Sequence, residues 1–161
     1  MENHAGGISM IAFVVALAVS MGYYQFIYVP QANAKPQLPK EILEPPEVTP
    51  IAIAEGSFLE ANPEFFVPKE GAGVRGVLGI SNRVVWTNED TVAHTVTSDD
   101  GYVDKINGAF DSLEQKDRLK GGYLLEGQTF DFTFTRAGEY RYHCEPHPHM
   151  QGLIEIVENF A

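Results

Sequence analysis

Apolar and polar residues do not alternate at all between Gly7 and Val29: the 23 positions carry no charged side chain. That length, taken as a helix, spans a hydrocarbon core of roughly 30 Å. Tyr23, Tyr24 and Tyr28 collect at its far end, as interfacial aromatics do. The pattern predicts one N-terminal transmembrane helix over residues 1–29. The competing reading is a signal peptide, because Ala32-Asn33-Ala34 has the small-x-small form of a cleavage site. No Lys or Arg precedes the apolar run, however, and the run is longer than a usual signal core, so an uncleaved anchor is the expectation. Either way the rest of the chain is exported, and His4 lies across the membrane from it.

Residues 30–50 hold six of the ten prolines: Pro30, Pro36, Pro39, Pro45, Pro46 and Pro50. Proline lacks an N–H and fixes φ, so this segment predicts neither helix nor inner strand but an extended, semi-rigid linker. From Ile51 to the C-terminus the period changes to two. Thr129–Thr135 alternates strictly and puts Phe130, Phe132 and Phe134 on one face. Beyond the turn at Arg136-Ala137-Gly138, Tyr140 and Tyr142 alternate with Glu139, Arg141 and His143. Arg83–Thr87 and Leu153–Val157 are further short strands, and Gly, Asn-Glu-Asp and Ser-Asp-Asp-Gly clusters separate them. Asp104–Gly122 is the least regular stretch and is expected to carry a loop or short helix. Residues 51–161 therefore predict an all-β domain, a two-sheet Greek-key β-sandwich.

Composition narrows the function. The formal charge is −11, from 22 acidic and 11 basic residues, and Glu2 alone of the acids precedes residue 41. No Lys/Arg cluster or Gly-rich phosphate loop is present, which argues against nucleic acid as a partner. An acidic surface suits general solubility and also steering toward a basic partner. A single cysteine, Cys144, excludes an intramolecular disulfide framework and a binuclear copper site bridged by two cysteines of one chain.

That cysteine opens the run Cys144-Glu145-Pro146-His147-Pro148-His149-Met150. A thiolate, an imidazole and a thioether thus fall within seven residues, and His94 offers a second imidazole upstream. Two His, one Cys and a weak Met form the donor set of a blue-copper centre. Zinc takes Cys and His as well, but a thioether in fourth place argues against it.

The C-terminal third resembles the cupredoxins, in particular amicyanin and plastocyanin-like proteins. The resemblance rests on Tyr140-x-Tyr142-His143-Cys144-x-Pro146-His147-Pro148-x-Met150-x-Gly152. It extends to Val85-Trp86-x-Asn88-x-Asp90 ahead of His94-Thr95-Val96, to Phe110-Asp111-Ser112, and to Gly127-x-Thr129-Phe130 and Gly138-x-Tyr140. These motifs cover most of residues 65–158 in the family's order. The resemblance implies one type 1 copper per chain, with His94, Cys144 and His147 as equatorial ligands and Met150 as the axial one. It also implies that His147 reaches the surface as the electron's port. Asn88 and the backbone near Thr95 are candidates to hold the ligand loop and tune the thiolate, with a plain turn role for Asn88 as the alternative. His149 stands where family members often carry a bulky apolar residue; it is expected as a surface histidine, with gating, proton uptake or competition with Met150 as alternatives. His143 points to the opposite face by strand alternation and is not expected to be a ligand.

The functional expectation is a membrane-anchored type 1 copper protein that carries single electrons between redox partner proteins, not an enzyme. The anchor places the copper domain on the extracytoplasmic face of the cell membrane. The alternatives are a copper-binding subunit fixed in a respiratory or oxidase complex, or an open-site copper enzyme acting on small nitrogen oxides. Copper delivery is disfavoured, because three of only four methionines lie in the first 21 residues.

Overall fold

The computed structural model describes residues 5–34, 37–69, 74–115 and 119–160; His4 lies outside them. The chain divides into two compact units, Met1–Pro36 and Gln37–Ala161.

The first unit is helical: α1 (Ala5–Tyr23), a π-helical turn (Tyr24–Tyr28) and α2 (Val29–Ala32). Residues Met10–Ala32 form a continuous apolar stretch of 23 residues, long enough to cross a membrane, and none of it is buried within the chain. The widened turn has a local cause. Pro30 has no N–H to return to the carbonyl four residues back, and its ring crowds the preceding turn. The Val29 N–H bonds instead to the Tyr24 carbonyl, five residues back. Pro30 itself sits in the first turn of α2, where a missing N–H costs little. This corrects the expectation that the proline-rich stretch is non-helical throughout.

The second unit begins with α3 (Lys40–Leu43), and its strands follow in order. They are β1 (Val48–Ile53), β2 (Phe66–Pro68), β3 (Arg75–Val77), β4 (Arg83–Asn88), β5 (Thr97–Ser98), β6 (Val103–Asp104), β7 (Gly108–Ala109), β8 (Thr129–Thr133), β9 (Gly138–Cys144) and β10 (His147–Val157). Two four-stranded sheets, ordered β2-β1-β4-β8 and β3-β10-β9-β5, make the sandwich. A small β6–β7 ladder and two 3₁₀ turns, Ser112–Glu114 and Lys120–Gly122, occupy the irregular stretch.

Alternation decides what lies inside. Phe130, Phe132 and Phe134 are buried, and so are Tyr140 and Tyr142 from the other sheet. They enclose Trp86, which contacts Phe130 and Phe110 in tilted geometry and Tyr142 edge-on. Cys144 and Met150 belong to the same buried cluster, so the donor loop hangs from the core itself.

The expected linker of residues 30–50 is divided between the units, and its last residues are structural. β1 pairs parallel with β4 from Val48↔Arg83 to Ile53↔Asn88, which makes it an inner strand despite Pro50. The proline is tolerated because the β2 ladder runs only from Ile51↔Pro68 to Ile53↔Phe66. Pro50 sits just past its end and still accepts the Lys69 N–H at 3.0 Å. Upstream, the buried Asn82 amide donates to the carbonyls of Ile42 and Phe134, both at 2.7 Å, and ties α3 to the sandwich.

Candidate metal centre

Three elements supply the donors. Cys144 ends β9, His147 begins β10, and β9–β10 pairing is interrupted between His147 and Gln151, so the loop bulges away from the ladder. His94 comes from the segment between β4 and β5, where it bridges to Leu124 through reciprocal backbone bonds of 3.1 and 2.9 Å. The fold thus joins positions 50 residues apart in sequence.

Nδ1 of His94 and Nδ1 of His147 each stand 3.5 Å from the Cys144 sulfur. All three donor atoms lie within 4.8 Å of one another. Atoms sharing one first-row ion through bonds of about 2.0–2.3 Å at near-tetrahedral angles are separated by about 3.6 Å, so the two sulfur–nitrogen separations suit a shared metal. His94 and Cys144 are fully buried, and His147 is part-exposed. Met150 is fully buried on β10, in the same cluster as Cys144.

Electrostatics keep the imidazoles available as neutral donors. Burial pushes His94 below the ordinary histidine value, against the opposing pull of Asp90. Burial also lowers His147, with nearby His149 adding to the effect. The Cys144 thiol is pushed up by burial, an effect opposed by hydrogen bonds from Thr95 and the His147 backbone. A thiolate there calls for a cation beside it, which a metal supplies.

The surrounding polar groups are all engaged. Thr95 donates its N–H to the sulfur at 3.3 Å, and its hydroxyl accepts the Glu145 N–H at 2.8 Å. Asn88 donates to the carbonyls of Val92 (2.8 Å) and Leu124 (2.9 Å) and accepts from the Asp90 N–H at 2.9 Å. It ties together the two segments that meet at the His94–Leu124 bridge, so its role exceeds that of a simple turn residue. His143 faces away from the cluster, with Nδ1 at 2.6 Å from Asp99 Oδ1. His149 lies outside the three-donor cluster; its Nε2 donates to the Ser57 carbonyl at 3.3 Å, and its ring meets Phe65 edge-on.

Two buried residues of the centre are given no role by the sequence alone. Asp90 accepts from His94 Nε2 at 3.1 Å, and Ser57 donates to the same carboxylate oxygen at 3.2 Å. Burial alone would raise the Asp90 carboxyl, but hydrogen bonds from His94 and the backbone outweigh it and hold it below the usual range. Asp90 stands in the motif Val85-Trp86-x-Asn88-x-Asp90, but that motif assigns it no contact with His94. Ser57 carries no signal in spacing or composition.

The plastocyanin/azurin family of copper binding proteins matches residues 77–157, half of the chain, and the chain belongs to that family. It is therefore a cupredoxin, a member of an electron-transfer family whose members bind copper. Amicyanin of Paracoccus denitrificans is 31% identical over 77 residues, which are 48% of this chain and 50% of that one. Amicyanin of Paracoccus versutus is 33% identical over 75 residues, 47% of this chain and 48% of the other. The matches span about half the length of these relatives. Among solved structures, a purple cupredoxin from Nitrosopumilus maritimus aligns over 68% of this chain and 99% of its own, at 24% identity and a TM-score of 0.47. A Cu(I) amicyanin mutant aligns over 77% of this chain and 100% of its own, at 23% identity and a TM-score of 0.46. A copper-containing nitrite reductase from Thermus scotoductus aligns over 79% of this chain and 28% of its own, at 20% identity and a TM-score of 0.47.

Proposed function

We propose that the protein is a membrane-anchored electron carrier whose single copper is held by His94, Cys144 and His147, with Met150 as the weak axial donor. The observation that carries this reading is the pair of 3.5 Å separations from the Cys144 sulfur to the two Nδ1 atoms. Bound copper supplies a Cu(I)/Cu(II) couple. The chain supplies the rest. Sheet pairing on both sides of the loop and the Thr95 N–H on the sulfur hold the donors in one arrangement, which keeps reorganisation small between oxidation states. Burial of Cys144, His94 and Met150 excludes water from three sides, and the part-exposed His147 is the route by which electrons enter and leave.

The apolar helix of Met10–Ala32 supports a single-pass anchor, with the copper domain on the extracytoplasmic face and redox proteins as donor and acceptor. Enzymatic chemistry on a small molecule would need an open coordination position. The fully buried Met150 supports a closed one.

Voltammetry of the copper-loaded protein combined with azide titration tests the proposal. A reversible one-electron wave and a Cu(II) spectrum indifferent to azide are expected. A spectrum that shifts and saturates with azide would mean an open site and overturn the carrier reading.

A further inference from the structure

Ser57 is fully buried in the turn that follows β1, 37 positions before His94 in sequence, yet it touches both sides of the metal centre. Its hydroxyl donates to Asp90 Oδ2 at 3.2 Å and stands 3.4 Å from His94 Nε2. With His94 Nδ1 turned to the Cys144 sulfur, the imidazole proton sits on Nε2 and lies between the carboxylate (3.1 Å) and the serine oxygen. The Ser57 carbonyl accepts from His149 Nε2 at 3.3 Å, inside the loop that carries His147 and Met150. The turn is built for this placement. Gly56 adopts φ +73°, and the Ser57 N–H closes on the Ala54 carbonyl at 3.1 Å.

We infer that Ser57 is a positioning residue for the copper centre, acting through Asp90: its hydroxyl draws charge from the carboxylate that polarises His94, and so raises the reduction potential of the site. The inference rests on the copper-carrier reading above. A carboxylate accepting from His94 Nε2–H pushes electron density through the ring toward Nδ1, which favours Cu(II). Each further donor on that carboxylate weakens the push. Removing the Ser57 hydroxyl leaves Asp90 with one donor fewer, shortens its bond to His94 and favours the oxidised state. None of the three donor atoms moves in this account, because the turn is still held by its backbone bonds.

The test is a double-mutant cycle of Ser57→Ala and Asp90→Asn in the copper-loaded protein, read by potential, copper content and visible spectrum. In the wild-type background, Ser57→Ala is expected to shift the Cu(II)/Cu(I) balance roughly tenfold toward Cu(II), a fall of about 59 mV for a one-electron couple. In the Asp90→Asn background the same change should shift it less than about twofold, since no carboxylate remains to act through. Proton NMR of the diamagnetic Cu(I) form should show the His94 Nε2 proton moving downfield in Ser57→Ala. Equal shifts in both backgrounds, or none in the first, would overturn the inference, as would loss of copper in Ser57→Ala. Failure of the carrier reading looks different: the wild-type protein itself would then lack a thiolate-to-copper band.

Discussion

Tyr142 lies against Gly152 across the β9–β10 ladder so closely that a Cβ on residue 152 would stand 2.3 Å from the tyrosine Cζ. The ring is wedged between this backbone and Trp86, edge-on to the indole at 5.4 Å. Tyr142 precedes Cys144 by two residues, so the ring also fixes the end of β9 from which the donor loop departs. Gly152→Ala should therefore destabilise the domain by about 2–3 kcal/mol, as overpacking does. Because the ring carbons clash as well as the hydroxyl, Tyr142→Phe should not rescue it, whereas Tyr142→Leu should do so in part. Urea unfolding of the four proteins checks this; full rescue by Tyr142→Phe would contradict it.

Asp104 gives the fold an acid limit away from the metal. Burial would raise its carboxyl, but Thr135, the N–H groups of Asn107 and Ile106, and the Tyr102 hydroxyl all donate to it and hold it low. A carboxyl lowered in the folded state adds stability above its unfolded value of about 3.9 and loses it as pH falls through the folded value. The stability difference between wild type and Asp104→Asn should be constant from pH 5 to 7 and shrink below about pH 4. Denaturant unfolding of both across that range is the check, and a difference that grows on acidification would contradict the assignment.

The anchor prediction separates the two units. The full chain should sediment with membranes and resist salt washing, while residues 37–161, a compact unit on their own, should be soluble and bind copper. Native protein recovered in the soluble fraction, with its N-terminus just after Ala34, would show cleavage of a signal peptide instead.

Met150 carries the axial assignment. A weak thioether favours Cu(I), and an amide oxygen is a harder donor. Met150→Gln should lower the reduction potential while keeping one copper per chain and the thiolate band. An unchanged potential would place the thioether away from the copper.

Much of this was legible in the chain because period-two patterns report burial directly. The Phe130-Phe132-Phe134 face is buried, and His143 turns away from the donors toward Asp99, as strand alternation requires. Two of the three clustered donors were legible because Cys144 and His147 lie three residues apart in sequence. Other features depend on contacts between distant segments. Pro50 inside β1 depends on where the β2 ladder stops, and Asn82 anchors Ile42 from 40 positions away. Ser57 acquires its role only when the turn after β1 folds over Asp90, 33 positions on. No local period or spacing encodes such a meeting.

In the proposed carrier a single thiolate, Cys144, binds copper beside His94 and His147. The visible spectrum of the Cu(II)-loaded protein tests it most directly, compared with Cys144→Ser at equal copper. The wild type should show one intense sulfur-to-copper charge-transfer band per chain, and Cys144→Ser, which leaves both imidazoles in place, should show none. A wild-type protein without that band, or a variant that keeps it, would contradict the account.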